Sequence, residues 1–131
     1  MQPHPIGPLR NPSVMHELSI VSSIVDSVIV SLASYPGAQV KEVRLRVGAL
    51  ASVVEDSLHF CYQIATEDTP LAGSVLIVKT LPVVMHCEPC AQDVELPSLQ
   101  SFRCPQCGQP VSDLRQGREL EIESVEIEEN P

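Results

Sequence analysis

Residues 84–111, VMHCEPCAQDVELPSLQSFRCPQCGQPV, hold two C-x-x-C pairs, Cys87/Cys90 and Cys104/Cys107, separated by thirteen residues. Two residues between cysteines let both thiolates of a pair face one ion while the backbone turns, and two such knuckles supply a tetrahedral set of four sulfurs. Pro105 suits that turn, and Gly108 after the last cysteine supplies a left-handed backbone. A segment this short cannot build its own core. Zinc–thiolate bonding, worth about 10–16 kcal/mol in small fingers, would be much of its folding energy. Zinc is the default occupant, and four thiolates with no open position make its role structural rather than catalytic. An iron site of rubredoxin type has the same four ligands, although Phe102 is the only aromatic in the segment. Two matched pairs favour metal over dithiol redox exchange, and the spacing argues against unrelated buried cysteines.

Outward from this segment the chain alternates helix and strand patterns. Leu18, Ile20, Val21, Ile24, Val25, Val28, Ile29 and Leu32 recur at helical spacing, which predicts an amphipathic helix from about Met15 that Pro36-Gly37 stops. KEVRLRV at 41–47 places Val43, Leu45 and Val47 on one face of a half-buried strand. Ser52 to Glu55 reads as a capping box opening a second helix, with Val54, Leu58, Cys61, Ile64 and Ala65 turned inward. SVLIVKTLPVVM at 74–85 is a strand bent or broken at Pro82, and 119–128 is a strand whose alternation slips at Ser124. The order α-β-α-β, cysteine segment, β predicts an α+β protein: two helices packed on a small, mostly antiparallel sheet, with an inserted lobe of two knuckles like those of a zinc ribbon. The expected division is a disordered leader at 1–14, a main domain of 15–83 plus 112–128, and the metal lobe at 84–111.

Composition bounds the function. The chain has 131 residues, 44% apolar but only 3% aromatic, so one aliphatic core is expected. Seventeen acidic against eight basic residues give a net charge of −9. Four thiolates add −4 and one Zn2+ returns +2, taking −9 to −11, and such a surface does not suit a phosphate backbone. Nucleic acid is therefore not an expected partner. No apolar run approaches the roughly 20 residues that span a bilayer, so no membrane role is expected either. The opening MQPHPIGPLRNPSV has four prolines and no apolar signal core. Together with paired C-x-x-C motifs, it points to a reducing compartment, the cytoplasm. No nucleophile–base pair or phosphate-cradling glycine loop appears, and the chain is not expected to be an enzyme.

Met15-His16-Glu17 opens the first helix, where amides lack intrahelical partners. By residue type alone, a His and a Glu in a first turn are solvent-exposed. The stretch M15-H-E-L-S-I-V-S-S-I24, then V43-R-L-R-V-G-A-L50, E55-D-S-L-H-F60 and the paired knuckles, resembles the HypA/HybF family of hydrogenase nickel-incorporation proteins, over Met15 to about Glu128. The resemblance implies a nickel metallochaperone that receives Ni2+ and helps insert it into the large subunit of [NiFe] hydrogenase, working with the GTPase HypB. It implies that His16 binds nickel with nearby backbone nitrogens, that Glu17 supports the site, and that Cys87, Cys90, Cys104 and Cys107 hold structural zinc.

Imidazole and a square-planar nitrogen set suit Ni2+, while thiolates suit zinc, so ligand type keeps the two ions apart. Fused chelate rings through deprotonated amides need a backbone outside the helical ladder. In a chain begun at Met1, Met15 has no free amine; a chain begun at Met15 restores one. His4 lies between Pro3 and Pro5, whose tertiary amides cannot deprotonate, and is set aside. His86, directly before Cys87, reads as a hydrogen-bonding neighbour of the thiolates or, alternatively, as an auxiliary nickel ligand. His59 reads as a packed or surface histidine, and Cys61 as a small buried hydrophobe. Glu119, Glu121, Glu123, Glu126, Glu128 and Glu129 form the solvated face of an edge strand, or a docking surface for a basic partner. Oligomeric state is left open, a homodimer included.

Overall fold

A computed structural model describes residues 12–129; the expected leader as far as Asn11, His4 with it, lies outside the described residues. The described residues run α1 (Pro12–Ser31), a 3-10 turn (Leu32–Ser34), β1 (Gln39–Gly48), a second 3-10 turn (Ala49–Ala51), α2 (Glu55–Ala65), β2 (Val75–Leu81), β3 (Val84–Cys87), β4 (Gln92–Glu95), β5 (Asp113–Gln116) and β6 (Leu120–Glu128). They build two three-stranded sheets, ordered β2-β1-β6 and β4-β3-β5. The fold is α+β, as the hydrophobic periodicity predicts. The second sheet was not legible from alternation, because its strands are only four residues long.

Two compact units share the chain. Met1–Val43, Val53–Ile77 and Ser124–Pro131 form one, and Arg44–Ser52 with Val78–Glu123 form the other. All four knuckle cysteines belong to the second.

In the first unit α1 packs against α2. The helix starts at Pro12, three residues before Met15, where a proline sacrifices no hydrogen bond. Val21, Ile24, Val25 and Val28, at i, i+3, i+4 and i+7, are buried, while Ile29 and Val30 stay exposed, so the packed stripe is narrower than the apolar one. Residues His16–Ser34 are long and apolar enough to cross a membrane by length and composition, which corrects the expectation that no run is. The same segment forms a packed helix here, with Glu17 and four valine and isoleucine side chains in the interior.

The second helix departs from expectation at its start. Ser52 does not cap it: its backbone is left-handed (φ 57°, ψ 42°) and closes the 3-10 turn, and α2 begins three residues later with Val54 as N-cap and no side-chain cap. Leu58, Cys61 and Tyr62 are buried, whereas Val54 and Ile64 are exposed rather than inward. The Tyr62 hydroxyl lies 2.6 Å from Ser74 Oγ, which satisfies its buried polar end.

Pro82 breaks the 74–85 strand into β2 and β3, which join different sheets. In β6, Ile122, Val125 and Ile127 are half-buried, so the alternation slips across Glu123–Ser124 as the sequence suggests. Lys41 pairs with Glu128 and Arg46 with Glu121, both on the outer face of this edge strand. The Gly48 and Leu50 amides donate to the carbonyls of Glu119 and Gly117, both at 2.7 Å, so β6 runs antiparallel to β1. A Cβ on Gly48 would lie 2.1 Å from the Gly117 carbonyl carbon, a backbone contact that only glycine permits. Gly48→Ala is expected to destabilise the metal-loaded protein by at least about 1–3 kcal/mol, the usual cost of overpacking. A urea midpoint equal to wild type would show that the two backbones are not held this closely.

Candidate metal centre

Each knuckle is a turn that offers amides to its first cysteine. In the first, the Ala91 amide donates to the Glu88 carbonyl at 3.0 Å, and Ala91 turns the chain with φ 54°. In the second, the Gly108 amide donates to the Cys104 carbonyl at 2.8 Å with Gly108 at φ 78°, and the Gln106 amide points at Cys104 Sγ from 3.4 Å. Cys87 and Cys104 are buried, Cys90 is half-buried and Cys107 is exposed.

The four sulfurs lie within 4.8 Å of one another. Cys87 and Cys107 are 3.5 Å apart, and Cys90 and Cys104 are 3.9 Å apart. A disulfide needs about 2.05 Å, so no pair is bonded. A regular tetrahedron with metal–sulfur bonds of about 2.3 Å has edges of about 3.8 Å, which matches these separations. The donor set fits a closed four-coordinate metal site.

The thiols titrate as a group. The Cys107 amide pulls the Cys104 thiol down to about 7, against the opposing effect of burial. Cys90 is pushed up to about 12, chiefly by the Cys107 and Cys87 sulfurs. The Cys90 amide lowers Cys87, yet burial and the Cys107 and Cys104 sulfurs leave it raised. Without a cation the cluster therefore keeps protons at neutral pH, because four adjacent negative charges repel one another.

His16 and Glu17 belong to the first unit, and Glu17 is where the structure adds most. It is not the exposed first-turn residue that its type suggests but fully buried. Its Oε2 accepts the Val54 amide at 2.9 Å, capping α2 from the neighbouring helix in place of Ser52. Its Oε1 is buried and has no hydrogen-bond partner among the described residues. His16 is 53% exposed, with Nδ1 3.8 Å from Glu17 Oε2. Because α1 begins at Pro12, His16 is its fifth residue, and its amide falls in line with the Pro12 carbonyl. The expectation that this amide lies free in a first turn is corrected: the turn Pro12–Met15 now precedes it.

The remaining candidates fall elsewhere. His86 lies opposite Asp93 in the β3–β4 register, with Nδ1 2.8 Å from Asp93 Oδ1 and Nε2 3.3 Å from Glu88 Oε1. Both ring nitrogens thus meet carboxylates of the same unit. His59 pairs with Glu55 one turn earlier on α2, at 3.3 Å, as a surface histidine. Cys61 is 1% exposed, and burial, with the Glu17 charge, pushes its thiol up. It is inert packing, as expected.

Comparison with known proteins places these features in a family. A model described as hydrogenase/urease nickel incorporation, metallochaperone, HypA matches residues 15–127. The chain belongs to the HypA family. The hydrogenase maturation factor HypA of Chloroflexus aggregans is 45% identical over 112 residues, covering 86% of this chain and 98% of that protein. The HypA of Streptomyces avermitilis is 40% identical over 117 residues, 88% of each chain. The solution structure of the Ni metallochaperone HypA from Helicobacter pylori superposes with a TM-score of 0.59 at 18% identity, covering 87% of this chain and 98% of that one. A second HypA solution structure gives 0.63 at 20% identity, with 86% and 96% covered. At those identities the structures establish the shared fold.

Two outcomes follow from the geometry. Metal binding must displace the protons that Cys90 and Cys87 retain at neutral pH, so affinity rises with pH and falls as acid reprotonates first Cys90 and Cys87 and then Cys104, which is pulled down to about 7. A chromogenic chelator should take the ion from the cluster far faster at pH 5 than at pH 8; equal rates would rule out thiolate ligation. At Glu17, Gln keeps an oxygen for the Val54 amide whereas Leu leaves it unpaired, so E17L should cost about 1–3 kcal/mol more stability than E17Q. Equal unfolding midpoints for the two variants would show that the cap contributes nothing.

Proposed function

We propose that the chain is a nickel metallochaperone that binds Ni2+ and delivers it during maturation of [NiFe] hydrogenase, with a separate structural zinc site. What supports this most is one observation: a chain of the HypA family carries both an exposed imidazole beside a buried carboxylate and, apart from them, a closed set of four thiols. Cys87, Cys90, Cys104 and Cys107 are proposed to hold Zn2+, since soft thiolates and the observed sulfur spacing suit that ion. The lobe at 84–111 then serves to bind zinc, and 15–83 plus 112–128 to handle nickel.

His16 is the proposed nickel ligand, supported by Glu17. The imidazole is exposed, so cargo can enter and leave without opening a core. Glu17 holds the end of α2 through one oxygen and keeps the other unengaged, which fixes the backbone beside His16. Backbone nitrogens join only where the turn Pro12–Met15 opens or is absent, because a helical amide is already bonded. His86 is an auxiliary nickel ligand only if it gives up one of its carboxylate partners.

The chain supplies no reaction of its own in this reading. The energy-coupled step belongs to a GTPase of HypB type, the recipient is the hydrogenase large subunit, and the compartment is the cytoplasm. Urease maturation, which the family description includes, would be a second destination.

Native mass spectrometry tests the reading on protein as purified and after one equivalent of Ni2+, beside His16→Ala and a chain begun at Met15. One zinc as purified, and one nickel that H16A loses, is the expected result, with the Met15 form binding more tightly. One zinc and no His16-dependent nickel in either form would instead make the chain a zinc-ribbon interaction module. A red protein with thiolate-to-iron absorption would make it an iron carrier.

A further inference from the structure

Besides the cysteine cluster, the second unit carries a cleft of about 480 Å³ lined by Leu50, Met85, Phe102, Ser112, Leu114 and Arg118. Met85 is buried in that unit's core, and Leu50 and Leu114 are half-buried against the same core, so these walls are held firmly. Phe102 is 44% exposed at the cleft. The polar members are what single the cleft out. Lys41, Arg46 and Arg115 are each paired with a carboxylate. Arg118 has no hydrogen bond or ion pair among the described residues, in a chain with seventeen acidic side chains to eight basic ones. Its neighbour Glu119 is engaged by the Gly117 amide at 2.9 Å. The Ser112 hydroxyl is likewise unengaged among the described residues.

We propose that this cleft binds the C-terminal residue of a partner polypeptide. An apolar terminal side chain lies against Leu50, Met85, Phe102 and Leu114, and its α-carboxylate meets the Arg118 guanidinium, with Ser112 as a further donor. A guanidinium fork matches a carboxylate with two parallel hydrogen bonds.

Geometry favours a chain terminus over an internal acidic residue. A terminal carboxylate sits on the same Cα as the side chain it accompanies, so charge and apolar body enter one cleft together. In an extended internal segment, neighbouring side chains point to opposite faces, and an acidic neighbour would point away. Charge favours it too. A surface of net charge −9 repels an acidic patch but tolerates one carboxylate delivered to one unpaired arginine.

The test uses the full zinc-loaded chain, labelled with 15N and with 13C methyl groups, and three probe peptides: acetyl-Gly-Gly-Leu with a free carboxylate, the same peptide as its C-terminal amide, and acetyl-Gly-Asp-Leu-amide. The free acid is expected to shift the Arg118 Nε–H signal and the Met85 and Leu114 methyl signals, with affinity about tenfold or more above that of the amide. Arg118→Gln, an exposed change whose unaltered remaining spectrum would show an intact fold, should abolish that difference. Equal binding of acid and amide would overturn the role of Arg118. Tight binding of the aspartyl peptide amide would overturn the choice of a chain terminus, and no shift with any peptide at millimolar concentration would overturn the site.

Discussion

Four thiols held within 4.8 Å of one another cannot all ionise unless a cation stands among them, and the second unit is built around that demand. Its buried core consists of Val83, Met85, Cys87, Val94, Leu96, Cys104 and Val111. Two of the seven are themselves cluster cysteines, so ligation and packing are carried by the same side chains. β3 takes β4 on one side and β5 on the other, and its last residue is Cys87. Whatever fixes that sulfur therefore fixes the middle strand of the sheet. A sheet of four-residue strands has little apolar area of its own, and a metal bound by the four thiolates would add stability on the scale seen in small fingers, about 10–16 kcal/mol.

The first unit rests on a different electrostatic arrangement. Burying a carboxylate is expensive unless hydrogen bonds replace water. Among the described residues Glu17 meets that requirement at one oxygen, through the Val54 amide at the start of α2, where the helix dipole also favours negative charge. The unmatched oxygen lies beside an exposed histidine, His16. Held so, the glutamate ties α1 to α2 beside His16 without closing the imidazole off from solvent. In the proposed reading, an exposed donor next to a rigid support suits cargo that is handed on, just as a closed set of four sulfurs suits an ion that is kept.

Much of this was legible in the residues. The knuckle spacing pointed to a four-sulfur site, since two intervening residues determine where a turn can aim its thiolates. The 3.6-residue periodicity located α1, and the period-2 alternation of 41–47 located β1, because side-chain direction follows directly from backbone geometry. Pro82 and Ser124 marked a real break and a real slip in their strands for the same local reason. The M-H-E start linked the chain to its family.

What local pattern could not reach was decided by tertiary contact. Ser52 and Glu55 have the spacing of a capping box, but a 3-10 turn leaves Ser52 in a left-handed conformation, and the cap comes from a residue 37 positions earlier in sequence. Glu17 has the sequence surroundings of a solvated side chain, and only the packing of α2 against α1 buries it. Ile64 reads as core, yet it is exposed, while Tyr62 is buried with its hydroxyl 2.6 Å from Ser74 Oγ. The sequence by itself determined the two helices, the longer strands, the sulfur set and the family, all consequences of short-range spacing. The tertiary structure decided which carboxylate is buried, which amide it caps and which arginine has no partner among the described residues, because desolvation and pairing depend on residues that meet only when the chain is folded.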